Sequence, residues 1–252
     1  MLDAKSDKVI CGDNYAKYFT NVKCMDVLER FAEFEHHKIA NLFRHKIIDD
    51  MVNNELSKNM NARIILIGAG FDTRAFRFDG GTWFEIDEPE IIEYKNTRLP
   101  AFNCKNTLTR ISHVFSKQQL EQTLRSCNGS SKVIIVIEGV LRYLDRGETE
   151  TLILDLKKAF PMHGLICDLM SREFYEEYGC ATSDVLANMG APIKFHAIDP
   201  QQLFKDRGYR LVDTVSVIRA ALESGRFTNE ADLIEDRTTV LNGYSICRFE
   251  IP

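Results

Sequence analysis

Apolar residues along this chain fall into two rhythms that alternate. Arg63-Ile64-Ile65-Leu66-Ile67 and Lys132-Val133-Ile134-Ile135-Val136-Ile137 are short, continuous and rich in β-branched residues. Such runs suit strands buried on both faces of a parallel sheet. Weaker runs at 83–87, 107–115, 163–168, 209–217 and 240–251 predict five more strands, the last two an antiparallel pair. Between them the spacing turns helical. Val27-Leu28, Phe31 and Phe34, then Ile39, Leu42-Phe43, Ile47-Ile48 and Met51-Val52, predict a pair of amphipathic helices within residues 1–61. Further helices are expected over 73–78, from Glu88-Pro89-Glu90 onward, over 118–125 with Ser116 as N-cap, over 146–160, and from Asp199-Pro200 to Gly208. Strands alternating with helices predict one α/β domain over 1–252, with a seven-stranded Rossmann-like sheet, helices on both faces and a helical N-terminal cap. Residues 171–198 break the rhythm. They are irregular and aromatic (Phe174, Tyr175, Tyr178, Phe195), and are expected to form an insertion after the fifth strand that roofs a substrate pocket.

The first strand ends abruptly at Gly68-Ala69-Gly70, and the second ends in Asp87. Strand, glycine turn, helix, strand and acid is the plan of a nucleoside-binding α/β half. A dinucleotide fingerprint wants a third small residue at position 73, where this chain has Thr73. Asp72 argues further against a pyrophosphate, because it stands at the start of the next helix, where such a group would sit. A carboxylate about 5 Å from a phosphate charge costs on the order of 3 kcal/mol at an effective dielectric near 20. A nucleoside cofactor without phosphate, carrying sulfonium and ammonium charges, tolerates an acid there. Asp87 would then accept hydrogen bonds from the ribose.

Composition narrows the class. The net charge of −5 over 252 residues argues against nucleic acid as the main partner. The longest apolar runs fall well short of a membrane span, and MLDAKSDK lacks a signal-peptide core, so a cytoplasmic protein is expected. The seven cysteines are scattered without metal-ligand spacing, so reduced thiols and no metal are expected.

GAGFDTRAFRF followed by WFEIDEPEIIEYKNTRL resembles the leucine carboxyl methyltransferase family. That family includes methyltransferases of protein phosphatase C-termini and bacterial O-methyltransferases of polyketide type. It is a branch of the S-adenosylmethionine-dependent methyltransferases. The resemblance implies S-adenosyl-L-methionine as cofactor and a methyltransferase sheet. It covers most of the chain in order and is strongest over 43–144. Asp13-Asn14-Tyr15-Ala16-Lys17-Tyr18-Phe19 is similar to a family segment that lies over the cofactor. Arg44 matches the family arginine that pairs with the cofactor's methionine carboxylate, a task suited to a bidentate guanidinium. Lys5 and Lys8 are alternative candidates for a family lysine near the N-terminus. Glu138-Gly139-Val140-Leu141-Arg142-Tyr143-Leu144 matches the family's acid-glycine segment, and Glu138 would bind the cofactor ammonium. Arg142 and Tyr143 fall on the substrate side, Arg142 as a candidate ligand for a substrate carboxylate. One position departs from the family pattern. The acid that holds adenine after the third strand is replaced by Val114-Phe115, leaving backbone groups and stacking on Phe115, with Ser112 and His113 as nearby substitutes. Arg74 and Arg77 read as helix-surface charges.

Three functional readings follow. The first is an O-methyltransferase acting on a carboxylate or hydroxyl of a small molecule. A carboxylate acceptor is already ionised and needs no base, whereas a hydroxyl would want a histidine such as His113, His163 or His196. None of these is assigned a catalytic role. The second is a protein C-terminal carboxyl methyltransferase, which needs an open groove. The third is a non-catalytic protein of the same fold acting through interactions. The sequence is silent on oligomeric state.

Overall fold

The protein is described here by a computed structural model over residues 9–20, 29–31, 34–115, 119–194, 197–225 and 241–251. Its centre is the strand pair that the sequence marks most strongly. Strand β1 (Arg63–Ile67) and strand β4 (Val133–Ile137) are buried at every position and lie parallel and adjacent. Alternate residues of each feed two separate cores. Ile64, Leu66, Ile134 and Val136 pack on one face of the sheet, and Ile65, Ile67, Ile135 and Ile137 on the other. A strand buried on both faces has no polar side, which is why these segments carry no alternation in sequence.

The other strands are β2 (Thr82–Asp87), β3 (Thr107–Ser112), β5 (His163–Met170), β6 (Arg210–Ser216) and β7 (Tyr244–Ile251). The order across the sheet is β3-β2-β1-β4-β5-β7-β6, with β7 antiparallel to both its neighbours. The order reverses between β1 and β4. At that switch point, connections leave in opposite directions and a crevice opens at the carboxyl ends of the strands. Seven strands and the antiparallel β6–β7 pair agree with the sequence pattern. Strand β3 is shorter than expected, and Val114 and Phe115 lie past its end.

Helix α1 (Glu35–Lys58) lies against one face, with Phe43, Ile47, Ile48, Met51, Val52 and Leu56 buried. It shares that face with α9 (Val217–Glu223). Helices α4 (Leu120–Arg125), α5 (Arg146–Ala159) and α8 (Pro200–Lys205) cover the other. Two short helices follow β1 and β2, namely α2 (Arg74–Arg77) and α3 (Pro89–Arg98). Of the expected N-terminal helix pair, the described residues hold α1 and one 3-10 turn at Ala16–Phe19. Lys5, Lys8, Val27, Leu28, Ser116, Phe195, His196 and Val240 lie outside the described residues.

Residues 171–198 are more regular than expected. Ser171 caps α6 (Arg172–Phe174), its hydroxyl accepting from Phe174 N at 3.2 Å; a π-helical turn (Tyr175–Gly179) leads into α7 (Cys180–Asn188). The wide turn brings Gly179 against the Tyr175 ring, where an added Cβ would stand 2.6 Å from Cδ2. Extra residues of this kind inside a helix are frequent at functional sites.

Candidate functional site

Strand parity decides what meets at the crevice. Glu138 continues the series Ile134, Val136, and Asp168 the series beginning at Ile166, so both acids fall on the face covered by α1. On α1, Arg44 and His45 stand one turn before the buried Ile48 and Asp49. Arg44 Nε donates to Glu138 Oε1 at 3.0 Å, and Arg44 Nη1 donates to the Tyr244 hydroxyl at 3.3 Å.

Glu138 has further partners. Arg74 Nη2 lies 2.8 Å from Oε2, and His45 Nδ1 lies 3.3 Å from the same oxygen. Arg74 is fully buried, and its guanidinium also reaches Asp49 at 2.6 Å and the Asp72 carboxylate. Arg77 Nη1 donates to Asp49 at 2.6 Å. Burial pushes the Glu138 carboxyl up, but Arg74 and Arg44 outweigh it and hold it well below the usual carboxylate range. Asp49 is likewise buried and likewise held low by Arg74 and Arg77. The surface role expected for Arg74 and Arg77 is therefore corrected: both are spokes of a buried charge network.

The glycine turn makes the rest of this wall. Gly68 has φ +65° and Gly70 φ +45°, conformations that glycine adopts without penalty. An added Cβ on Gly68 would collide with Val140 Cγ2, whereas one on Gly70 would meet nothing within 4 Å. Asp87 turns back on the turn, with Oδ2 accepting from Gly70 N at 2.6 Å and Oδ1 from Glu88 N at 2.7 Å. The Asp72 carboxylate accepts from Arg74 N at 2.7 Å. Phe71 stacks on Phe19 with centroids 4.9 Å apart, so the Ala16–Phe19 turn lies over the glycine loop. Phe115 is 38% exposed; its ring meets His113 edge-on, and its N–H donates to Glu88 Oε1 at 3.2 Å.

Two cavities adjoin here. One, of about 290 Å³, is bounded by Arg44, His45, Gly68, Gly70, Asp72 and Glu138 among others. Asp87 and Phe115 are not part of its lining; Asp87 touches it through Gly70. The other, of about 360 Å³, is largely apolar and runs beneath the π-helical segment. Phe174, Tyr178, Leu186, Ile193, Met170 and Ile218 supply its apolar surface. Arg44 and Glu138 line both cavities and form the partition between them. Arg142 and Tyr143 line the larger cavity. Arg142 Nη2 donates to Asp168 at 3.0 Å and to Tyr244 at 2.6 Å, and Asp168 also accepts from Gly139 N at 2.6 Å.

Sequence reading overlooked several of these groups. Asp168 is a lone acid inside the apolar run of β5, a signal that was present but unused. Tyr244, His45 and His37 carry no local signal, since their role depends on which elements pack together. His113 and His163 are buried beside their own partners, Thr123 and Tyr209, and neither lines the larger cavity. Among the described residues no cluster of His, Cys, Asp or Glu could hold a metal, and no helix is long and apolar enough to cross a membrane.

The sheet order and the switch-point crevice define a Rossmann-like fold of the methyltransferase type. Two solved structures share it at 10–13% identity. A DUF574 family protein from Streptomyces avermitilis gives a TM-score of 0.59 over 83% of each chain. Magnesium protoporphyrin IX methyltransferase from Synechocystis, with bound S-adenosylhomocysteine, gives 0.52 over 84% of each. The model of the leucine carboxyl methyltransferase family matches residues 1–156, and the chain belongs to that family. Relatives from Mycobacterium sp. strains KMS and JLS, each named "Putative S-adenosyl-L-methionine-dependent methyltransferase", are 34% identical over 97 residues. That match covers 33% of this chain and 36% of each relative, so it spans about a third of their length. A relative of the same designation from Frankia alni is 27% identical over 118 residues, 44% of this chain and 41% of the relative.

Proposed function

We propose that this protein is an S-adenosylmethionine-dependent O-methyltransferase that acts on a carboxylate or hydroxyl of a small, largely apolar molecule. The observation that carries the proposal is the Arg44–Glu138 partition, a paired cation and anion between a polar crevice at the switch point and an apolar cavity. The methionine end of the cofactor is a zwitterion, and this pair is its complement: Arg44 for the carboxylate, Glu138 for the ammonium. The crevice residues fit that cofactor better than a dinucleotide. Three carboxylates, Asp72, Asp87 and Glu138, gather on the Gly68–Gly70 turn, and Asp72 already occupies the N–H of Arg74 at the start of α2. A pyrophosphate would meet repulsion there and a blocked helix start.

In this reading Asp87 holds the ribose hydroxyls, the turn at Gly68 and Gly70 admits the nucleoside closely, and Phe115 offers a face for adenine. Bound there, the cofactor supplies an electrophilic methyl group on a sulfonium. The protein contributes position, holding the acceptor oxygen in the apolar cavity in line with the partition and keeping water out. The apolar lining of that cavity by Phe174, Tyr178, Leu186 and Ile193 favours a small apolar molecule over a protein C-terminus.

The test is calorimetric titration with S-adenosylmethionine and S-adenosylhomocysteine. Micromolar binding of both at unit stoichiometry is expected. Absence of binding at millimolar ligand would leave the fold without this activity.

A further inference from the structure

His37 lines the larger cavity, and its hydrogen bonding prepares it to take a proton. It stands on the first turns of α1, and its Nε2 lies 2.9 Å from the carbonyl oxygen of Tyr178, in the π-helical turn. A carbonyl can only accept, so Nε2 carries the hydrogen, and in the neutral ring Nδ1 is then the acceptor. No bond to Nδ1 is found among the described residues. Phe34 packs edge-on against the ring, with centroids 5.8 Å apart. The charged or titratable neighbours that act on it are His36 on its own helix and Arg142 across the cavity. Burial, with smaller contributions from those two groups, lowers the His37 pKa and keeps the ring neutral near pH 7, in spite of the opposing pull of the Tyr178 carbonyl.

The arginines of the cavity point to the same acceptor chemistry. Arg142 is already bonded to Asp168 and Tyr244, and Arg44 to Glu138 and Tyr244. Each cavity arginine faces one carboxylate, so a zwitterionic cofactor end leaves the charge balance unchanged, whereas a substrate carboxylate adds an uncompensated buried anion, which is costly. Arg142 Nε, buried without a partner among the described residues, can still donate to one neutral oxygen. A hydroxyl carries no such charge, but it needs a base.

We infer that the acceptor is a hydroxyl, an aromatic one to suit the Phe174, Tyr178 and Leu186 wall, and that His37 Nδ1 is the general base that removes its proton. This inference rests on the methyltransferase reading above. In the balanced step the hydroxyl proton passes to Nδ1 and makes an imidazolium. The oxygen lone pair forms the new O–CH3 bond while the S–CH3 bond breaks, and its electron pair stays on sulfur, turning the sulfonium into a neutral thioether. The Tyr178 carbonyl fixes the tautomer throughout. His37 thus joins α1 to the π-helical segment that lines the cavity.

The test uses 4-nitrophenol, whose phenolate absorbs in the visible range. The full chain is saturated with S-adenosylhomocysteine at pH 6, and the spectrum of bound probe is read for wild type and His37→Gln. Glutamine keeps an N–H for the Tyr178 carbonyl but cannot act as a base, and thermal melts confirm that the variant is folded. The expected result is a phenolate-to-phenol ratio for bound probe at least tenfold higher in wild type than in the variant, with similar probe affinity. With a hydroxyarene substrate, methyl transfer by wild type should rise with pH to a plateau as the imidazole is deprotonated. His37→Gln should lose about a hundredfold and lack that rise. Equal ionisation in both proteins, or failure of 4-nitrophenol to bind while benzoate is bound and methylated, overturns the inference and leaves the methyltransferase reading intact. Failure of S-adenosylhomocysteine to bind in the same samples overturns both.

Discussion

Arg74 shows how much a single side chain can carry. It is fully buried, yet three carboxylates, Asp49, Asp72 and Glu138, converge on one guanidinium. Charges removed from water are tolerated only when paired this completely, and removing one partner strands the others. Replacing Arg74 by Met should therefore cost about 3–5 kcal/mol in urea denaturation. Lys46→Met, which breaks the exposed Lys46–Asp50 pair, should cost less than about 1 kcal/mol. An Arg74→Met protein as stable as wild type would mean that the network contributes nothing net. Glu138 sits in the same web and is also the proposed ammonium ligand, so Glu138→Gln should act twice. Affinity for S-adenosylmethionine should fall more than tenfold by calorimetry, and stability should drop as Arg44 and Arg74 lose their shared anion. Asp87→Asn should weaken cofactor binding and also cost stability, because each carboxylate oxygen accepts from a different backbone N–H and the amide keeps only one acceptor, setting its NH2 against the other donor. Equal affinity in that variant would remove Asp87 from the site.

Helix α5 is a case where local sequence and observed structure agree in detail. Asp145 accepts from Glu148 N at 2.8 Å, and Glu148 Oε2 accepts from Asp145 N at 2.7 Å, a reciprocal cap that satisfies the open helix start. Asp145→Ala should lower stability by about 1 kcal/mol and leave cofactor affinity unchanged. Legibility elsewhere followed the range of the interaction. Strands β1 and β4 and the buried face of α1 could be read because burial imposes a period on neighbouring residues. Gly68 and Glu138 could be found because a strand end is a local event. Arg74's distant partners could not, since Asp49 stands 25 residues and Glu138 64 residues away, and only the packing of α1 across the switch point joins them. The same reason hid His37. Its tautomer is set by a carbonyl 141 residues later, in a π turn that no apolar period announces. Residues 171–198 looked irregular because their apolar positions follow a helix interrupted by that wide turn. Val114-Phe115 stand where the resemblance implies an acid, and the structure puts Phe115 at the surface beside Glu88.

At the scale of the molecule, the sheet separates chemistry from a source of pH sensitivity. The crevice lies at the carboxyl ends of the parallel strands, while His163 opens β5 at the opposite end. There it is buried between the Phe160 carbonyl at 2.7 Å and the Tyr209 hydroxyl at 2.7 Å. Burial pushes its pKa down from 6.5 to about 4. Because the folded value is the lower one, the unfolded chain binds the proton first. This group leaves stability untouched above about pH 6.5, then removes about 1.4 kcal/mol per pH unit as pH falls toward 4, and reaches a plateau below it. His37 and His113, also held low by burial, act in the same direction. The carboxylates with lowered pKa values, Asp49, Glu55 and Glu138, lose their contribution only further down, below the ordinary carboxylate range. The window from pH 6.5 to 4.5 therefore belongs to the histidines. Urea denaturation across it should give a falling stability for wild type and a slope shallower by about one proton for His163→Gln. Since the site lies at the other end of β5, the variant should bind S-adenosylhomocysteine as wild type does. An unchanged slope would show that His163 is protonated without unfolding, and a changed affinity would show that the two ends of the sheet are coupled.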